Sequence, residues 1–168
     1  MNYYVGIDVG KKGSLCLLSE DCKEIEFYDF PSKDTAIGQF FNDLDKLFTT
    51  KSINLIAMEK VHSMPHQSSQ SSFTFGTNYG MWLGFLMYHN CKNKIAYDIV
   101  LPQKWMKVHN IFKTDGITTK DKVKAVCQRL YPRADIFGSK GGYLDGRGDA
   151  LLIANYARMS QIKAFKDV

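Results

Sequence analysis

Residues Tyr3 to Leu18, YYVGIDVGKKGSLCLL, narrow the possible folds more than any other stretch. An apolar, β-branched run ends on a single acid, Asp8, and Gly10, Lys11, Lys12 and Gly13 follow before a second apolar run begins. Two short strands joined by a glycine turn satisfy this pattern. The carboxylate at the strand end has two readings. It caps the turn by accepting from backbone N–H groups two residues on, or it belongs to a metal or phosphate site. The stretch alone leaves both open, and other acids at the ends of other core elements would favour the second.

The rest of the chain supplies such acids. Tyr3 to Val9, Ser14 to Ser19 and Glu24 to Phe30 read as an antiparallel meander. From Thr35, with Asp34 as N-cap, Ile37, Phe40, Phe41, Leu44, Leu47 and Phe48 recur at helical spacing. Ile53 to Met58 is a continuous apolar run, as buried central strands are, and it ends on Glu59. Glu59 thus repeats the placement of Asp8, and function in open α/β sheets gathers at strand ends.

After Glu59, KVHSMPHQSSQSS reads as a loop of a length that is usually functional or disordered. Phe73 to Tyr88 reads as a helix with Phe75, Tyr79, Trp82, Leu83 and Leu86 on its apolar face and Gly76, Gly80 and Gly84 on another. Each interior glycine costs roughly 1 kcal/mol relative to alanine, so the stripe implies close approach of another backbone. Packing within the chain is the favoured reading, and a second copy of the helix the other. Lys94 to Leu101 is a further strand, Pro102 to His109 a short helix opening on proline, Thr119 to Leu130 a longer one, and Gly138 to Gly142 a hinge-like loop. The last helix runs from about Asp145 to Ile162.

At 168 residues the chain reads as one domain, residues 1–168, long enough to bury roughly two-thirds of its unfolded surface. The four cysteines, Cys16, Cys22, Cys91 and Cys127, form no Cys-x-x-Cys pair and suggest reduced thiols, with a Cys16–Cys22 bridge across a hairpin as a minor alternative. His62 and His66 stand four apart but lack a third zinc ligand. The apolar run at the start is interrupted by Asp8 and lysines, so no signal peptide or membrane span is expected, and the protein is expected to be soluble and cytoplasmic.

Asp145 and Asp149 begin the last helix four residues apart, on one face. An acidic first turn that complements the helix dipole explains them separately. Together with Asp8 and Glu59 they would make four converging carboxylates, which cannot all stay ionised without cations. Hard oxygen ligands suit Mg²⁺ or Mn²⁺, and two such ions about 4 Å apart serve phosphodiester cleavage with no organic cofactor. Lys104, Lys107, Lys113, Lys120 and Lys122 follow Pro102, and Lys11 and Lys12 flank Asp8. With a net charge of +5 they suit a polyanion, although a solvated charged face is the plainer reading.

GIDVGKKGS, LIAMEKVHSMP, the Ser-rich stretch leading to FGTNYGMWLG, LPQKWMK and DGRGDALLIANYARM, in that order over nearly the whole chain, resemble the RuvC family of Holliday junction resolvases, in its phage-type branch. The resemblance implies an α/β, ribonuclease H-like fold: a mixed five-stranded sheet, first three strands antiparallel, helices on both faces. It implies a homodimer that binds a four-way DNA junction and makes two symmetric nicks with Mg²⁺ or Mn²⁺, two ions per site. Carried over, the metal ligands are Asp8, Glu59 and Asp149, with Asp145 where the bacterial pattern has its acids three apart. Lys107 and Lys120 match lysines that approach the scissile phosphate. The family's phenylalanine three residues after the glutamate is His62 here, with Met64, Phe73 or Phe75 as substitutes at the junction. Rival readings are a ribonuclease H-like RNA-processing nuclease and a nucleic-acid-binding module whose acids are structural. A sugar kinase or chaperone-type ATPase would need two such lobes.

Overall fold

Strand β1 (Asn2–Asp8) divides the molecule into two layers. In a computed structural model of the chain, describing residues 1–61, 68–113 and 116–166 with side chains to residue 161, Tyr3, Val5 and Ile7 enter one apolar layer and Tyr4 the other. That is the period-two alternation of a strand buried on both faces. Strand β2 (Ser14–Ser19) returns antiparallel, with Ser14 opposite Asp8, and β3 (Ile25–Asp29) continues the meander. On the other side of β1 lie β4 (Ser52–Glu59) and β5 (Ala96–Val100), both parallel. The order is β3-β2-β1-β4-β5: the mixed five-stranded sheet expected, with its first three strands antiparallel.

Helices α1 (Ile37–Thr50) and α2 (Ser69–Asn93) cover one face, where Leu44, Phe48, Trp82 and Leu86 pack on Val5, Ile7, Leu17, Ile56 and Met58. The rings of Phe30, Phe40, Phe41 and Trp82 meet edge-on or tilted there. The opposite face carries α3 (Pro102–Val108), α4 (Thr119–Leu130) and α5 (Asp145–Lys166). Trp105, Val123, Cys127 and the run Ala150 to Ala154 meet Tyr4, Cys16, Leu18, Ala57 and Val100 in that layer. Helix α5 crosses β1 at Gly6. A methyl group on Gly6 would overlap the Ala150 carbonyl oxygen and the Ala154 nitrogen and lie 2.9 Å from the Ala154 Cα. Only glycine lets helix and strand backbones touch there, which brings the start of α5 to the end of β1.

Three expectations change. Helix α2 begins at Ser69, inside the stretch read as loop, because Ser68 adopts an extended conformation and its side chain accepts from the Ser71 N–H at 3.2 Å. Serines that look like loop composition are here a helix cap. Asp34 caps nothing: a 3₁₀ turn, Asp34–Ala36, precedes α1, its own N-cap is Lys33, and no side-chain capping bond forms. Gly76, Gly80 and Gly84 do not pack against the described residues, since among these a methyl group on any of them would meet nothing within 4 Å. Helix α2 buries Asn78, Trp82, Leu86 and His89 instead, and the glycine side faces outward. The four cysteines are free thiols, Cys16 and Cys127 buried. Among the described residues no helix is long and apolar enough to cross a membrane.

Candidate active site

Asp8 ends β1, Glu59 ends the parallel neighbour β4, and Asp149 lies one turn into α5, so one edge of the sheet gathers acids from three elements. Both readings of Asp8 are realised at once. Its Oδ1 accepts from the Gly10 N–H at 3.1 Å, holding the turn, while its carboxylate faces the other acids. Gly146 permits the close fit of α5: a methyl group there would overlap the Lys12 carbonyl oxygen and lie 3.2 Å from Asp8 Oδ2. Glu59, Asp145 and Asp149 line one cleft of about 350 Å³ with Trp105, Lys120 and Tyr143.

Burial and mutual repulsion govern the protonation of this group. Burial raises Asp8 to about 6, with repulsion from Asp145 adding to it against the Gly10 hydrogen bond. Burial, then Asp8, lifts Glu59 to about 7. Burial, then Asp8, Glu59 and Asp145, lifts Asp149 to about 8. Asp145 behaves differently. Burial is the largest single influence and acts to raise it, but the Lys120 ammonium, 3.0 Å from its Oδ2, together with its own backbone N–H and the charge of Lys12, holds it below the ordinary carboxylate value.

In this arrangement the acids do not close on one point. Among the described residues no three His, Cys, Asp or Glu side chains share a position that could hold an ion. Asp8 is turned to Gly10, Glu59 to the Trp105 indole and Asp145 to Lys120. The donor set nevertheless fits a hard divalent cation. It is entirely carboxylate oxygen, and a cation would favour the ionised forms that burial and repulsion oppose on Asp8, Glu59 and Asp149.

No family model and no curated protein matches the chain. Solved structures do. RuvC of T. thermophilus in complex with a Holliday junction substrate superposes with a TM-score of 0.61 at 13% identity over 96% of both chains. A Thermus thermophilus RuvC structure gives 0.60 at 15% identity over 95% of both. The yeast mitochondrial Holliday junction resolvase Ydc2 gives 0.50 at 18% identity, over 97% of this chain and 81% of that one.

The chain has the fold of RuvC.

Within this RuvC-like fold the basic residues fall into separate groups. Lys120 is committed to Asp145, and Lys122 donates its ammonium to the Phe112 carbonyl. Lys104 and Lys107 are exposed on α3, and Lys113 is exposed on the loop after it. Lys11 and Lys12 are exposed on the β1–β2 turn; Lys11 also lines a cleft of about 350 Å³ against the first turns of α2. Phe73 stands 78% exposed near the start of α2. His62 lies outside the described residues.

Sequence reasoning missed the support beneath Glu59. Trp105 Nε1 donates to Glu59 Oε1 at 3.0 Å, and its ring is buried. His109, one turn on, is itself buried, and burial lowers its pKa and keeps it neutral. Its Nδ1 bonds the Trp105 carbonyl at 2.7 Å. A carbonyl only accepts, so Nδ1 carries the proton and Nε2 accepts from Asn155 Nδ2 at 3.0 Å. Among the described residues the buried Tyr143 hydroxyl finds no hydrogen-bond partner, and it packs on Gly148. Arg147 joins α5 to the meander, gripping Asp29 through Nε at 2.9 Å and Nη2 at 2.7 Å, and Asp135 through Nη1 at 2.7 Å. No periodicity links these residues. Only the isolated tryptophan and histidine of a short lysine-bearing helix hinted at a role.

Proposed function

We propose that this chain is one ribonuclease H-like nuclease domain, a phage-type relative of RuvC, that cuts four-way DNA junctions with paired, symmetric nicks. The observation that carries the reading is the gathering of Asp8, Glu59, Asp145 and Asp149 at one sheet edge, beside exposed lysines, in a fold shared with RuvC. The neighbour solved with a Holliday junction substrate supports the choice of a junction over an RNA duplex. The four acids would hold two Mg²⁺ or Mn²⁺ ions, which supply positive charge for the attacking and leaving oxygens. A water oxygen adds to phosphorus and the P–O3′ bond breaks, leaving a 5′-phosphate and a 3′-hydroxyl. The proton lost by the water goes to solvent, and O3′ takes one from solvent.

The chain's own residues orient this chemistry. Asp8 is held by the Gly10 N–H and Glu59 by the Trp105 indole, each through one oxygen, which leaves the other oxygen of each for a cation. Lys107 neutralises the phosphate in the cleft, and Lys120 would pass from Asp145 to DNA when cations take over the acid. Lys11, Lys12, Lys104, Lys113 and Lys122 would meet the arms and Phe73 the crossover, a role the resemblance also gives to His62. A junction has two-fold symmetry, so two copies serve paired nicks. The outward side of α2, where Gly76, Gly80 and Gly84 leave open space between the exposed Phe73 and the exposed Met87 and Tyr88, suits a second copy of the same helix. Sedimentation at twice the 19.1 kDa chain mass is expected, and a monomer would remove this part of the reading. The protein would work in the cytoplasm.

Asp8→Asn tests the catalytic assignment. It should bind a junction as wild type does yet cleave it slower by on the order of 10²–10³-fold or more, the range for losing one charged group at a reacting centre. Equal loss of binding and cleavage would count against a ligand role and favour a structural one.

A further inference from the structure

A second groove, of about 430 Å³, runs beside the acidic cleft and shares Met106 and Thr119 with it. Its walls, Met106, Ile111 and Phe112, are apolar, while Lys107 and Lys113 supply positive charge and Gln103 an amide. Phe112 is 55% exposed although its backbone is firmly held. The Ile111 N–H donates to the Met106 carbonyl at 2.9 Å, Asn110 takes a left-handed φ of 57°, and the Lys122 ammonium bonds the Phe112 carbonyl. The backbone that carries the ring is thus held at the groove while the ring itself stays exposed. An exposed, pre-positioned aromatic flanked by ammonium groups is how proteins stack a nucleic-acid base while holding its backbone.

We propose that this groove is a nucleobase subsite. It takes one base of the DNA strand next to the scissile phosphate, stacked on Phe112 against Met106, with Lys107 and Lys113 on the flanking phosphates. The Gln103 amide offers both a donor and an acceptor to the base edge, so the subsite reads sequence as well as adding affinity. The inference rests on the junction-nuclease reading of the adjoining cleft. Shared walls make the two continuous, and the positive rim matches a polyanion better than it matches an apolar peptide or a small neutral molecule.

The test places 5-iodouracil at one position at a time on either side of the crossover and irradiates the junction bound to the full-length Asp8→Asn protein. One position should cross-link to the peptide containing Phe112; that product should vanish with Phe112→Ala and persist with Phe112→Trp. In the otherwise wild-type chain, Phe112→Ala should weaken junction binding about tenfold, within the range for one stacked base. It should also flatten the cleavage preference at that position, and Phe112→Trp should restore the preference. A bound junction that cross-links only elsewhere, or a Phe112→Ala protein with unchanged preference, would overturn the subsite and leave the junction reading standing. A wild-type protein that binds no junction would overturn both.

Discussion

Glu59 shows how one side chain at the site depends on a series of buried groups behind it. Its carboxylate is oriented by Trp105, whose helix is in turn fixed by the buried His109 and Asn155. Trp105→Phe keeps the ring and removes the donor. Metal affinity should then fall about 10–100-fold, as for other groups that orient a ligand. Titration calorimetry with Mg²⁺ measures this, and cleavage at saturating metal should return close to wild type. Unchanged affinity would mean that the indole only fills space. The acids themselves were legible in the sequence because a carboxylate ending an apolar strand is conspicuous. Trp105 was not, since a tryptophan in a core helix has no period that distinguishes a hydrogen-bonding role from packing. The pairing of Lys120 with Asp145 was equally hidden, because it joins residues across a loop.

Among the elements, α5 does the positioning. It lies directly on β1 because Gly6 lacks a side chain, and it is tied to β3 by Arg147 and Asp29. Gly6→Ala should therefore destabilise the fold by about 3 kcal/mol or more, at the upper end for forcing atoms into a packed core. Urea unfolding measures the loss. A cost near zero would show that helix and strand can separate without penalty. Strand existence and direction were legible, because continuous apolar runs and tight turns leave few alternatives. The start of α2 was not, since serine serves loops and helix caps alike, and Ser68 is told from a loop serine only by its bond to the Ser71 N–H. The glycine side of α2 was placed inward for a sound reason, the cost of helical glycine, yet its burial depended on which face the sheet took.

For the whole molecule, the buried acids set a pH dependence with a definite sign. Asp8, Glu59 and Asp149 titrate at about 6, 7 and 8 in the folded chain, above their values in the unfolded chain. Between about pH 4 and pH 8 these three carboxyls hold more protons in the folded state, so the stability they contribute falls as pH rises, while the buried His89 and His109, whose pKa values burial lowers, act in the opposite sense where the unfolded imidazoles protonate. From pH 5 to pH 8 the metal-free wild type should lose Tm relative to Asp149→Asn, and Mg²⁺ should raise Tm more at pH 8. An equal pH response in wild type and Asp149→Asn would contradict this. The sheet order was within reach of sequence reasoning once the meander and the two later strands were assigned. Which acids turn toward each other, and which toward a lysine or an indole, depended on packing across three elements.

The central claim is that the gathered acids make a metal-dependent enzyme selective for DNA junctions. Its most direct test is cleavage of an immobile four-way junction beside a matched linear duplex and an RNA–DNA hybrid, each with Mg²⁺ and with EDTA. The account predicts paired nicks, confined to the junction and abolished by EDTA. Cleavage of the hybrid alone, or tight junction binding without any cutting, would contradict it.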